Sequence, residues 1–215
     1  ATIEAMKGKP LELTVKNASD GVFFKETYSW QTKQLHIGSA DSNKKVTYAF
    51  QQQRDQLITE KDVGTPVSLR WQYEYDDYGN TIKTIEFGRL DEGWDDERVI
   101  SSQFSASCES ALELWLLDRP VRVTRTDESQ EATKVAEHIN YYDGSDELCQ
   151  LSNGNLTKTE HWVEGETYIT GIRNQYDSWG NLTHIYDPLY VEDESKHYRE
   201  IVYDDTYHTF AEEEN

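Results

Sequence analysis

Cysteine, methionine and long apolar runs are scarce in this chain. Only two cysteines occur, Cys108 and Cys149, which are too few for the disulfide framework of a small secreted scaffold. They can pair or remain as two buried thiols, so the compartment is not readable from them. The longest apolar patch, around Leu112 to Leu117, is interrupted by a glutamate and is too short to span a bilayer. The first residues lack a signal-peptide pattern, and because the chain starts at Ala1 without Met we expect a fragment of a longer protein.

Positive charge is also in short supply. The chain has 21 basic and 41 acidic residues, which gives a formal net charge of -20 at pH 7. A field of this sign repels nucleic acid and anionic membranes, so we expect neither as a partner. The acidic surface favours solubility and can attract a basic partner or cations.

Aromatic residues are plentiful, in contrast to aliphatic ones. The chain has 14 Tyr and 6 Trp, and aromatics make up 12% of its residues. Disordered chains are poor in aromatics, so this chain is expected to fold. Because Tyr and Trp favour half-buried strand positions, the composition points to β-structure rather than to a helical bundle.

One short motif recurs along the chain with the pattern Tyr-Asp-x-aromatic-Gly-Asn. The clearest copies contain Tyr75, Asp76, Gly79 and Asn80, and then Tyr176, Asp177, Gly180 and Asn181. Weaker copies contain Tyr142, Asp143 and Gly144, and then Tyr203 and Asp204. Tyr48 indicates a further strand of the same type.

The motif is typical of a β-hairpin. In residues 70–75 polar and aromatic side chains alternate, so Trp71, Tyr73 and Tyr75 share one face. The aspartate can accept backbone N–H groups at the start of a turn. Gly79 and Gly180 are predicted to have the positive φ that a tight hairpin loop requires. The residues that follow, 81–87 and 182–186, then form the outgoing strands.

The remaining segments predict an all-β fold of antiparallel strands and hairpins, with at most one or two short helices. Further predicted strands cover residues 120–125, 136–141, 156–162 and 200–203. A short helix is predicted over Ser107–Leu117, with Ser107 and Glu109 as its cap, and a weaker helix candidate covers Gln51–Thr59. We expect a β-rich part over residues 1–69 that is continuous with a repeat region over residues 70–215.

The Tyr-Asp repeats resemble those of RHS/YD-repeat proteins, especially the B-subunit type of bacterial insecticidal toxin complexes. Besides the motifs above, residues 115–120 and 154–160 resemble segments of that family. The resemblance implies a curved sheet that belongs to a hollow shell enclosing a toxin or another cargo polypeptide. It also implies a secreted or cell-surface location, with the rest of the shell, other toxin-complex subunits and the cargo as partners. The chain departs from the family in three ways, because it is too short to enclose a cavity and lacks both the self-cleaving RHS core motif and a toxin domain.

No residue pattern points to catalysis or to a cofactor, so we predict a non-enzyme without cofactor or metal. The six histidines form no zinc motif, and the hypothesis of a Cys149–His161 thiol nucleophile has no flanking signature. The acidic cluster around Trp94 lacks the spacing of a calcium loop, and the three glutamates Glu212–Glu214 are interpreted as an acidic terminus. Five tryptophan side chains are expected to be buried in the sheet rather than free to stack on a ligand: Trp30, Trp71, Trp94, Trp162 and Trp179.

Two functions therefore stay open from the sequence. The first is a structural shell segment that encloses or supports a cargo polypeptide. The alternative is an adhesin or a carbohydrate-binding β module with a glycan as ligand.

Overall fold

The computed structural model of the chain describes residues 2–36, 45–59, 65–91, 97–127, 133–191 and 196–215. Its strands form one antiparallel sheet of 13 strands, and each strand lies beside the one that precedes it in the chain. The predicted all-β fold is confirmed. The strands in chain order are β1 Glu12–Lys16, β2 Val22–His36, β3 Lys45–Ile58, β4 Val67–Tyr75, β5 Thr81–Arg89, β6 Arg98–Phe104, β7 Pro120–Asp127, β8 Thr133–Tyr142, β9 Leu156–Glu164, β10 Thr167–Tyr176, β11 Leu182–Tyr186, β12 Tyr198–Tyr203 and β13 Ala211–Glu214.

Helices are few and short. One α-helix, α1, covers Thr2–Ala5, and a second, α2, covers Glu109–Glu113. Short 3₁₀ segments cover Ser105–Ser107 and Pro188–Val191. The predicted helix over Ser107–Leu117 is therefore confirmed only in its middle. Its predicted cap is wrong, since Cys108 is the N-cap residue and no side chain caps the helix.

The weaker helix candidate, Gln51–Thr59, is wrong. Residues 51–58 belong to β3, which pairs with β2 from Phe24↔Ile58 to His36↔Lys45 and, from Gln53 to Ile58, with β4 on its other side. This pairing with neighbouring strands overrides the local helical tendency of a Gln-rich segment.

The chain divides into two compact units. The first comprises residues 1–101 and 125–134, and the second comprises residues 102–124 and 135–215. In the first unit every residue of β5 is half-buried, and among the residues that the structure describes there, only Ala49 and Val99 are buried hydrophobic residues. Side chains on both faces of this part of the sheet therefore stay in partial contact with solvent.

The second unit contains a compact apolar cluster. Its buried members are Cys108, Ala111, Val121, Tyr142 and Leu151. They come from the connection between β6 and β7, from β7 and β8, and from the loop that follows β8. The cluster fixes this connection and this loop onto the sheet.

The acidic end of the chain forms an exposed strand. β13 pairs with β12, and the Arg199 guanidinium forms an ion pair with Glu214. The predicted strand over residues 200–203 lies within β12, which has neighbours on both sides. All four residues of β13 are exposed.

Candidate functional site

The first and third Tyr-Asp motifs form closely similar turns. Asp76 Oδ1 accepts the backbone N–H groups of Tyr78 and Asn80, both at 2.9 Å, and Asn80 Nδ2 donates to Asp76 Oδ2 at 2.8 Å. Asp177 makes the same three bonds to Trp179 and Asn181, each at 2.9 Å. The predicted positive φ is confirmed, with 96° at Gly79 and 86° at Gly180.

The second motif contains the same turn with an inserted loop. The Asp143 carboxylate accepts four backbone N–H groups at 2.7 to 3.0 Å, from Ser152, Asn153, Gly154 and Asn155. Gly154, with φ 77°, holds the position of Gly79 and Gly180, because it precedes the closing asparagine. Gly144, the motif glycine expected from the sequence, also has a positive φ, 79°, and begins the inserted loop.

The fourth motif closes a loop of intermediate length. Asp204 accepts the backbone N–H groups of Tyr207, Thr209 and Phe210 at 2.6, 3.0 and 2.9 Å. His208 takes a left-handed conformation here, with φ 54°. No glycine lies in this loop, which is why the sequence pattern is weak at Tyr203-Asp204.

All four turns share one closure. The aspartate N–H donates to the carbonyl of the closing residue at 2.8 to 3.0 Å, and the N–H of that residue donates back to aspartate Oδ1. The pairs are Asp76–Asn80, Asp143–Asn155, Asp177–Asn181 and Asp204–Phe210. The same pair of hydrogen bonds therefore closes loops of three different lengths.

These hydrogen bonds stabilise the ionised carboxylates. Burial raises the pKa of Asp143 and of Asp177, but backbone N–H groups, together with the Asn181 amide at Asp177, hold both pKa values below the usual range. At Asp204 the backbone N–H groups dominate and lower the pKa to about 2. These aspartates are therefore charged and occupied by the turns at neutral pH.

The motif tyrosines tie the end of one strand to the strand before it. The hydroxyls of Tyr75, Tyr142 and Tyr176 donate to the carbonyls of Gln51, Pro120 and Leu156 at 3.0, 2.8 and 2.9 Å. Burial raises the pKa of all three phenols, for Tyr142 to about 12. Tyr203 makes no such bond to the part of the chain that the structure describes.

Two asparagines that the sequence reading missed reinforce this contact. Asn140 Nδ2 donates to the Pro120 carbonyl at 2.7 Å, and Asn174 Nδ2 donates to the Leu156 carbonyl at 2.9 Å. Each lies two residues before the motif tyrosine. The pattern Asn-x-Tyr-Asp, present in these two copies, was the available signal.

Cys108 and Cys149 form a disulfide, which settles the pairing that the sequence left open. It joins the start of α2 to the loop inserted after Asp143, and Ser110 Oγ donates to the Cys149 carbonyl at 2.8 Å in the same contact. The hypothesis of a thiol nucleophile at Cys149 is wrong, because the sulfur is bonded to Cys108.

Two of the histidines come together. His138 and His161 lie opposite each other on β8 and β9, with their Nδ1 atoms 2.5 Å apart and their ring centroids 4.6 Å apart. The His161 ring occupies the space beside Gly171, where a Cβ would lie 2.2 Å from Nε2.

Among the described residues, no group of three or more His, Cys, Asp and Glu side chains is arranged to hold a metal ion. Residues 92–96 of the predicted acidic cluster lie outside the described residues, and Asp91 hydrogen-bonds Arg89 at 2.8 Å.

The prediction that the large indoles are buried is wrong for those that the structure describes. Trp30, Trp71 and Trp162 are half-buried, and Trp179 is 68% exposed at the tip of its turn. Instead of filling a core, the rings contact polar groups along the sheet. The Arg54 guanidinium lies 4.2 Å from the Trp71 ring centroid, and Trp162 Nε1 donates to the Gly165 carbonyl. Trp94 lies outside the described residues.

A cleft of about 680 Å³ opens beside the second and third Tyr-Asp turns. The cleft is lined by the inserted loop, by the adjoining ends of β9 and β10, and by Tyr186 and Tyr190. Its size lies within the range of small-molecule sites. Neither the motif nor the periodicity of the strands indicated this cleft.

No protein-family model and no curated protein matches this chain. The assignment of a function therefore depends on the residues and the geometry described above.

Proposed function

We propose that this chain is a non-catalytic structural segment in the wall of a YD-repeat shell of the RHS type. The shell would enclose or support a toxin or another cargo polypeptide. The observation that carries the proposal is the closure shared by the four Tyr-Asp turns. An element that recurs with the same hydrogen bonds, and that tolerates loops of different lengths, suits a wall built by adding strands in succession.

The strand order supports the same role. Every strand pairs with its predecessor, so the sheet can be extended at either edge by a further hairpin. At one edge, Leu11, Leu13 and Val15 are 66%, 49% and 47% exposed. Apolar groups at an edge are suited to packing against a preceding repeat of the same wall.

The disulfide supports a secreted or cell-surface location. Disulfides persist in oxidising compartments and are reduced in most cytosols. The Cys108–Cys149 bond holds a loop that carries one of the four turns, so its loss in a reducing compartment would loosen the wall at this repeat.

The proposed partners are neighbouring parts of the shell, other toxin-complex subunits and the enclosed polypeptide. The net charge of -20 disfavours nucleic acid as a partner. Within the described residues, no helix is long and apolar enough to cross a bilayer. The motif carboxylates are occupied by backbone N–H groups, which is consistent with a structural role for these residues.

Electron microscopy of the full-length gene product tests this proposal. The product would be purified from its own source with an antibody against this segment, and its structure would be determined. We expect a hollow particle in which this segment is part of the wall and encloses density for a polypeptide. A solid particle, or a segment that projects from the surface as a separate module, would contradict the proposal.

A further inference from the structure

The cleft beside the inserted loop has polar side chains that the fold does not use. Asn155, Gln175 and Arg173 line it. Their amide and guanidinium groups make no hydrogen bond with the residues that the structure describes. A concave surface with a few unused polar groups and aromatic rings is the usual form of a small-ligand site.

Asn155 differs from its counterparts in the other turns. The amides of Asn80 and Asn181 donate to the second oxygen of their aspartates at 2.8 and 2.9 Å. In the second turn, Asp143 Oδ2 already accepts the N–H groups of Ser152, Asn153 and Gly154. Because the inserted loop fills Asp143 Oδ2 with backbone N–H groups, the Asn155 amide does not donate to it and instead lines the cleft.

Two tyrosines supply an aromatic part of the same cleft. The rings of Tyr186 and Tyr190 have centroids 4.4 Å apart and an interplanar angle of 51°. Both are half-buried and line the cleft. The C–H groups of a sugar ring carry a small positive charge and pack well on the negative face of such rings.

The charges in the cleft disfavour an anionic ligand. Lys158 is engaged by Asp146 at 2.5 Å and by Glu160 at 3.2 Å, so Arg173 is the cation that remains without an ion pair among the described lining residues. The carboxylates of Asp143 and Asp177 remain negative within their turns. With three aspartates and two basic residues in the lining, and -20 on the whole chain, a polyanion is repelled.

The strand ladder at the cleft is interrupted for only a short stretch. The pairing of β9 with β10 ends at Lys158↔Arg173, and beyond it the Leu156 carbonyl accepts the Asn174 amide and the Tyr176 hydroxyl. β9 also pairs with β8, and β10 with β11. A peptide that binds by adding a strand would therefore have few backbone groups to pair with here.

From these observations we propose that the cleft binds a neutral oligosaccharide. A sugar ring stacks on Tyr186 and Tyr190, while its hydroxyls bond to Asn155, Gln175 and Arg173. This binding role is separate from the structural role proposed above and does not depend on it.

Titration with defined saccharides, followed by amide chemical shifts, tests the site. The probes are maltotriose, cellotriose, triacetylchitotriose and lactose, with trigalacturonic acid as the acidic comparison and tetraalanine as the peptide comparison. We expect at least one neutral probe to shift the signals of residues around Asn155 and Tyr190. Tyr190→Ala should weaken its binding about fivefold or more, and Tyr190→Phe should retain most of it because the ring remains.

Paired asparagine variants separate binding from folding. Asn155→Ala should weaken saccharide binding about fivefold and leave the melting temperature unchanged, because its amide makes no hydrogen bond to the described residues. Asn80→Ala should lower the melting temperature and leave binding unchanged. Shifts with trigalacturonic acid or tetraalanine alone, or binding that survives both Asn155→Ala and Tyr190→Ala, would overturn the proposal, as would no shift with any neutral probe.

Discussion

At the scale of single residues, the left-handed glycines make the tight turns possible. A Cβ at Gly180 would meet no atom within 4 Å, whereas at Gly79 it would lie 3.3 Å from Tyr48 Oη. A side chain at Gly180 therefore destabilises the folded state only through the strain of a φ of 86°. At Gly79 a steric contact adds to the same kind of strain.

Replacing either glycine with valine should destabilise the protein by about 1–3 kcal/mol, because a β-branched residue is strained at positive φ. We expect the larger loss at Gly79. Thermal and urea unfolding of Gly79→Val and Gly180→Val measure this. Gly180→Asn is the matched control and should cost less, since asparagine tolerates the left-handed region. Unchanged melting temperatures for both valine variants would refute the turn assignment.

The Asp204 carboxylate makes the stability of the folded protein depend on pH in the acidic range. Its pKa is about 2 in the folded protein and about 3.9 in an unfolded chain, so the folded state favours the ionised form. The stability that the charged Asp204 carboxylate adds to the folded protein is fully present above about pH 4 and is lost as the pH falls towards 2.

Asp204→Asn should therefore lower the melting temperature at pH 7, and the difference from the parent protein should shrink between about pH 4 and pH 2. Melting curves across this range check the expectation. Asp205→Asn alters the exposed neighbouring residue and serves as the control. A difference for Asp204→Asn that stays constant down to pH 2 would mean that the carboxylate charge does not stabilise the turn.

At the scale of elements, the disulfide connects α2 to the loop inserted into the second turn. The two cysteines are 41 residues apart in the chain, and Cys108 is only 2% exposed within the apolar cluster. Cross-linking residues this far apart restricts the unfolded chain substantially.

The double variant Cys108→Ala/Cys149→Ala should lose about 2–4 kcal/mol of unfolding free energy in urea. The parent protein should show a similar loss after reduction, and the variant should not respond to reductant. A parent protein that reacts with a thiol reagent when denatured without reductant would show that the bond is absent.

At the scale of the whole molecule, the net charge and the edges of the sheet have opposite effects on association between copies of the chain. The apolar residues of β1 and the unpaired backbone at both edges favour association, but every copy carries -20. Repulsion between copies is long-ranged at low salt and is screened at high salt.

The isolated chain should therefore be monomeric in about 20 mM salt and should associate in about 500 mM salt, since the Debye length falls about fivefold between them. Sedimentation velocity at both concentrations tests this. Leu13→Lys should reduce association at high salt, because it places a charge on the exposed edge strand. A dimer that is stable at low salt and dissociates at high salt would contradict this and indicate that the acidic surface itself binds.

Features that depend on near neighbours could be predicted from the amino-acid sequence. The alternation in residues 70–75 indicated a strand, and Asp76 with Gly79 indicated the turn after it, because turn geometry is decided within a few residues. The net charge is likewise a property of composition. Contacts between residues far apart in the chain could not be predicted in this way. The Cys108–Cys149 bond, the position of the Asn155 amide and the cleft beside it all depend on how the loop inserted after Asp143 folds back onto the sheet, and the periodicity of single strands does not encode such contacts.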